Sequence, residues 1–139
     1  YLLPQDAWDL QLYSILGDVY QAQSRYRDSE KAFDYVLRKQ PEDEHVLNNY
    51  SYYLSLRRER LSEAAAMSKK LVQKYPTNGT YLDTHAWVLY QQGLYAEALV
   101  FLELKNQMFP TNIWSLTLYC LTKWPKKIFH SCQASILNL

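Results

Sequence analysis

Equivalent residues recur along this chain at intervals of 34 and 35 residues, and few folds can carry such a period. Leu82 has counterparts at Leu47 and Tyr13, Tyr95 at Leu61 and Tyr26, Ala98 at Ala64 and Ser29, and Pro110 at Pro76 and Pro41. Leu82 and its counterparts are spaced 34 then 35 residues apart, whereas the other three sets are spaced 35 then 34. A single extra residue within Arg57 to Arg60 accounts for both orders. Within each period, apolar residues fall at helical spacing in two runs. From Tyr81 to Pro110 the first run reaches Gln92, Gly93 interrupts it, and the second ends at Phe109 before the proline. This pattern is a helical hairpin written three times.

The first hairpin is expected to place a helix over about residues 7–23, capped by Asp6, with Pro4 near its start where a missing amide donor costs little. Its inward face is read as Trp8, Leu12 or Tyr13, Leu16 and Tyr20, with Gly17 letting the second helix approach. That second helix, about residues 27–39, presents Ala32, Phe33, Val36 and Leu37, and the basic Arg38 and Lys39 suit its C-terminal end. Acidic residues at 42–44 suit the start of the next helix, whose seam is read as Leu47, Tyr50, Tyr53, Leu54 and Leu56. The basic run at 57–60 reads as a solvated turn, because four residues without an aromatic neighbour make a weak nucleic-acid patch. Leu71, Val72 and Tyr75 continue the apolar face, and Pro76 to Gly79 is a strong turn signal.

A period of 34 with two helices per unit is that of the tetratricopeptide repeat (TPR). Tyr13 stands at the family's tryptophan position, Leu16, Gly17 and Tyr20 follow its L-G-x2-Y spacing, and Ser29, Phe33 and Pro41 complete the A-x3-F…P half with serine for alanine. The chain resembles this family over about residues 7–110, and LNNYSYYLS and YLDTHAWVLYQQGLYAEAL resemble bacterial multi-repeat members. The middle unit departs at Tyr50, Ser51 and Ser68, and the third at His85 and Ala86. The resemblance implies an all-α, right-handed superhelix of antiparallel helical hairpins, an α-α solenoid. Residues 1–110 then hold three units, about 7–41, 42–76 and 77–110. Residues 111–139 contain no acidic residue, both cysteines and Pro125. They read as a capping segment or a degenerate fourth hairpin, with Leu116, Tyr119 and Cys120 on its first helix and Phe129, Cys132 and Ile136 on its second.

Composition narrows the function classes. A net charge of +1 gives no general attraction to nucleic acid or acidic membranes. No run approaches the roughly 18 apolar residues that a membrane span requires. Thirteen tyrosines and four tryptophans are suited to wedging neighbouring helices together. The chain starts at Tyr1 with no methionine or signal-like region, so it is read as a fragment or mature product, and its compartment is left open. His45, His85 and His130 show no metal-ligand spacing, and His85 falls at a buried-leucine position, where a hydrogen-bonded core histidine is expected. Asp83, Thr84 and His85 are helical neighbours pointing apart rather than a triad. The glycines form no phosphate loop, and neither a cofactor nor catalysis is expected.

By the resemblance, the first helices line the concave face. The groove positions are then Gln11, Ser14, Asp18 and Gln21 from the first unit, His45, Asn48, Tyr52 and Ser55 from the second, and Thr80, Asp83, Trp87, Tyr90 and Gln91 from the third. None is lysine or arginine, which argues against the acidic chaperone tails that some family members hold. Asn48 offers a paired donor and acceptor to a peptide backbone, and Tyr52, Trp87 and Tyr90 offer flat anchors. The expected function is non-enzymatic binding of a neutral or mildly basic protein segment. Two rivals remain: a purely structural slice of a longer array, and an appendage of an enzyme whose catalytic part lies elsewhere. Exposed apolar residues among Leu2, Leu3, Trp8 and Leu12 would favour the slice. For Cys120 and Cys132 the alternatives are a disulfide across the fourth hairpin or two free thiols behaving as small hydrophobes, and the second is favoured. Thiol titration under denaturing, non-reducing conditions is expected to find two free thiols per chain.

Overall fold

The computed structural model describes residues 4–108. They form six α-helices and no strand: α1 (Pro4–Ala22), α2 (Tyr26–Lys39), α3 (Glu44–Arg57), α4 (Leu61–Lys74), α5 (Gly79–Gln91) and α6 (Tyr95–Met108). Helices pair as α1 with α2, α3 with α4 and α5 with α6, and successive pairs stack into an α-α solenoid. Among the described residues no helix is long and apolar enough to cross a membrane. The readings placed on residues 111–139, with Cys120 and Cys132, lie outside the described residues.

The first helices of all three hairpins end in the same way. The amides of Arg25, Glu59 and Leu94 donate back to the carbonyls of Tyr20, Leu54 and Leu89, and those of Ser24, Arg58 and Gly93 to Gln21, Ser55 and Tyr90. This double closure needs a left-handed residue just past the helix, and Ser24 (φ 60°), Arg58 (φ 56°) and Gly93 (φ 82°) supply it. Only the third unit uses glycine, which adopts that conformation without steric cost. The extra residue of the middle unit is absorbed here too. α3 runs one residue further than its counterparts, and Arg60 takes a second left-handed conformation (φ 46°) ahead of α4.

The hairpins are joined by four-residue turns at 40–43 and 75–78. Pro41 and Pro76 take the second position, where their fixed φ suits the turn, and the amides of Asp43 and Asn78 close it onto Gln40 and Tyr75. Each closing residue also caps the following helix: Asp43 Oδ1 accepts from the Val46 amide at 2.9 Å, and Asn78 Oδ1 from those of Thr80 and Tyr81 at 3.0 and 3.2 Å. Asp6, expected to cap α1, lies inside it, because the helix begins at Pro4.

Each hairpin carries a pair of small residues at equivalent buried positions: Gly17 with Ser29, Ser51 with Ala64, Ala86 with Ala98. In the first, a Cβ on Gly17 would lie 2.3 Å from the fully buried Phe33 ring, and Ser29 Oγ donates to the Gly17 carbonyl at 2.8 Å. Glycine goes with Phe33 in the first unit, Ser51 with Ser68 in the second and Ala86 with Leu102 in the third. The core joins Leu10, Phe33, Val36, Val46, Tyr50, Leu54, Ala64 and Val88 across all three units.

Three further expectations need correction. The inward face of α1 is Leu10, Ser14 and Gly17, whereas Trp8, Leu12 and Tyr13 are exposed and Leu16 and Tyr20 half-buried. Apolar residues surround much of α1, so their spacing alone does not select the face that meets α2. Leu56 is exposed rather than in the seam. The basic run at 57–60 is not merely solvated, since Arg57 pairs with Glu30 and Glu59, and Arg60 with Glu30 and Glu63. Arg60 also donates to the Tyr50 hydroxyl at 2.7 Å, and that hydroxyl donates to Asp34 at 3.1 Å, so the cluster ties the first hairpin to the second. The Gly17→Ala chain is expected to lose about 1–3 kcal/mol in urea denaturation, because overlap with Phe33 outweighs alanine's helix preference.

Candidate functional site

At both seams the first helices approach one another, α1 and α3, then α3 and α5, and each second helix packs on the next first helix, α2 on α3 and α4 on α5. No Cα atoms of α2 and α4, or of α4 and α6, come within 8 Å. The first helices therefore share one side of the solenoid. Between α1 and α3 this side is held by polar bonds. Asp18 accepts from Asn49 Nδ2 at 3.0 Å and the Tyr53 hydroxyl at 3.1 Å, and its other oxygen pairs with His45 Nε2 at 2.7 Å. Burial, and next Asp18, push the Tyr53 phenol up to about 12, so it stays a donor to the carboxylate. Tyr53 lies in the seam as its spacing predicts, Arg57 reads in the sequence only as part of a solvated turn, and Asn49 was not singled out from sequence, since single bonding partners leave no periodic signal.

The groove positions separate into used and presented groups. Ser14 and Ser55 are buried, and Ser55 Oγ donates to its own helix at the Tyr52 carbonyl, so neither faces a ligand. Asp18 belongs to the seam, and Asp83 is paired with Lys105 of α6. Gln21 accepts from Arg57 at 3.0 Å and Gln91 from Arg58 at 3.0 Å, so two arginines border a face that has none of its own among the selected positions. Gln11, His45, Tyr52 and Thr80 are exposed. Asn48 and Trp87 are half-buried, and Tyr90 is largely buried.

Aromatic rings cluster on the third unit. Trp87 stacks on Tyr90 with centroids 5.5 Å apart and planes at 26°, and Tyr90 meets Tyr95 at 5.3 Å. Trp87 Nε1, a donor, and Asn48 Oδ1, an acceptor, are buried without a hydrogen-bond partner among the described residues. Such groups are uncommon in folded proteins and costly when left unmet.

On the opposite side, between α4, α5 and α6, a cavity of about 540 Å³ is lined by residues including Ala65, Lys69, His85, Glu97 and Phe101. It lies where side chains are smaller than their counterparts one repeat earlier. Glu30 and Tyr50, which carry the ion-pair cluster at the first seam, are replaced by Ala65 and His85 at the second. His85 is buried as expected: Nδ1 lies 2.8 Å from Ser68 Oγ and its ring meets Phe101 edge-on at 4.6 Å. Burial first, and then the Lys69 charge, pull its proton affinity down to about 4, so the imidazole is neutral near pH 7. Among the described residues no three His, Cys, Asp or Glu side chains gather as a metal site.

Over 83 residues the chain is 30% identical to a TPR repeat-containing protein of Pseudomonas aeruginosa. The match takes in 60% of this chain and 14% of the relative, so the chain spans a small part of that protein's length. No family model matches the chain, and no solved structure matches it.

Because His85 binds its proton less tightly when folded than the ordinary value near 6.5, the unfolded chain takes up a proton that the folded chain refuses. Its contribution to stability is complete above pH 6.5 and is lost as pH falls toward 4, with a slope of up to about 1.4 kcal/mol per pH unit. Urea midpoints at pH 7 and pH 5 are expected to differ less in a His85→Gln chain than in the unsubstituted one.

Proposed function

We propose that this chain, an α-α solenoid similar over 83 residues to a TPR repeat-containing protein, is a non-enzymatic scaffold whose first-helix side holds a segment of another protein. The observation that carries this reading is the Trp87–Tyr90 ring stack on α5. Tryptophan and tyrosine supply the large, rigid contact area that dominates interface energies.

The segment is neutral or mildly basic. Asp18 and Asp83 are already paired within the protein, and the cationic Arg57 and Arg58 are held by Gln21 and Gln91 at the border of the groove. Affinity rests on aromatic contact, so it should depend weakly on salt.

Peptides selected from a random library against this chain test the reading. The Trp87→Ala chain, verified as folded by circular dichroism, is expected to bind them at least about tenfold more weakly, as removal of an aromatic anchor implies. Unchanged affinity in that variant would remove the first-helix side from consideration.

A further inference from the structure

Trp8, Leu12, Ile15 and Val19 of α1 are 70%, 53%, 52% and 42% exposed. Steps of four, three and four residues place them on a single helical face. A continuous apolar stripe of this kind marks an interaction surface.

The repeat itself indicates what such a face meets. Leu12, Ile15 and Val19 correspond to Val46, Asn49 and Tyr53 of α3, 34 residues on, and to Tyr81, Thr84 and Val88 of α5, a further 35 on. On α3, Val46 is fully buried, Asn49 and Tyr53 bond to Asp18 of α1, and the Tyr53 ring lies 6.1 Å from that of Phe33 of α2. On α5, Val88 and Thr84 are buried, and Tyr81 meets the Tyr75 ring at 5.7 Å and donates to Glu44 at 3.2 Å. At both seams this face is covered by the hairpin immediately N-terminal to it, joined through a four-residue turn. On α1 the same positions are wholly apolar, and nothing among the described residues covers them.

We propose that the α1 face is a third seam of the same kind, and that its occupant is a further helical hairpin of this repeat, carried upstream in the same polypeptide. The stripe would then be core, as its counterparts are on α3 and α5. Trp8, one turn before the seam positions, extends the contact toward the start of α1. The inference does not depend on the groove: either can fail alone.

The test compares this 139-residue chain with the polypeptide encoded by the whole reading frame that contains it. Hydrogen exchange of the α1 amides is expected to be at least about tenfold slower in the longer polypeptide, as covering a helix face raises its local opening energy. The double variant Ile15→Glu, Val19→Lys blocks apolar docking, while its i,i+4 ion pair supports the isolated helix. It should abolish that gain and leave the denaturation midpoint of the 139-residue chain nearly unchanged. A reading frame without an upstream hairpin would overturn the proposal, as would α1 exchange that is the same in both polypeptides. So would a dimer of the 139-residue chain that the double variant disrupts, because the face would then belong to a second copy.

Discussion

The contact on which the first hairpin depends is the approach of α2 to α1 at Gly17, where the Phe33 ring fills the space that a side chain would need. Close approach lets Ser29 reach the Gly17 carbonyl and brings Phe33 to within ring contact of both Tyr50 and Tyr53 of the next unit. One phenylalanine thus serves two interfaces, that within its hairpin and that between hairpins. The second and third units solve the same problem with other small residues, Ser51 with Ala64 and Ala86 with Ala98, so the crossing is a property of residue size rather than of glycine itself.

The two seams are built on the same backbone plan but stabilised by different chemistry. The first is heavily polar, with Asp18 taking three partners on the first-helix side and Glu30, Arg57, Arg60 and Tyr50 forming a second cluster. Breaking one member of such a cluster leaves the others half-buried and unmet, which is why it favours one register of the helices over its neighbours. At the second seam the ion-pair cluster is absent, His85 replaces Tyr50, and a cavity lies where side chains are smaller. The third unit therefore combines a less filled seam with the aromatic surface on its first-helix side.

Much of the candidate groove was legible in the sequence as a set of positions, because a helical hairpin at a fixed period determines which residues share a side. Which of them remain presented was not legible. Ser14 and Ser55 share that side yet are buried, Asp18 and Asp83 are bonded to Asn49 and Lys105, which no pattern singles out, and Gln21 and Gln91 to Arg57 and Arg58, which read in the sequence only as a turn. These pairings depend on side-chain reach across helices, a distance that spacing does not encode.

The amino-acid sequence by itself determined the hairpins, their period, the site of the extra residue and the burial of His85, since turn-forming residues and apolar spacing act locally and repeat three times. Tertiary structure decided which face of α1 turns inward, the ion-pair role of Arg57 and Arg60, and the exposure of Leu56. α1 is apolar on more than one face, and a basic side chain looks the same in a sequence whether it meets water or Glu30. The choice is made only when a neighbouring helix arrives, because burial and charge pairing are properties of two surfaces together.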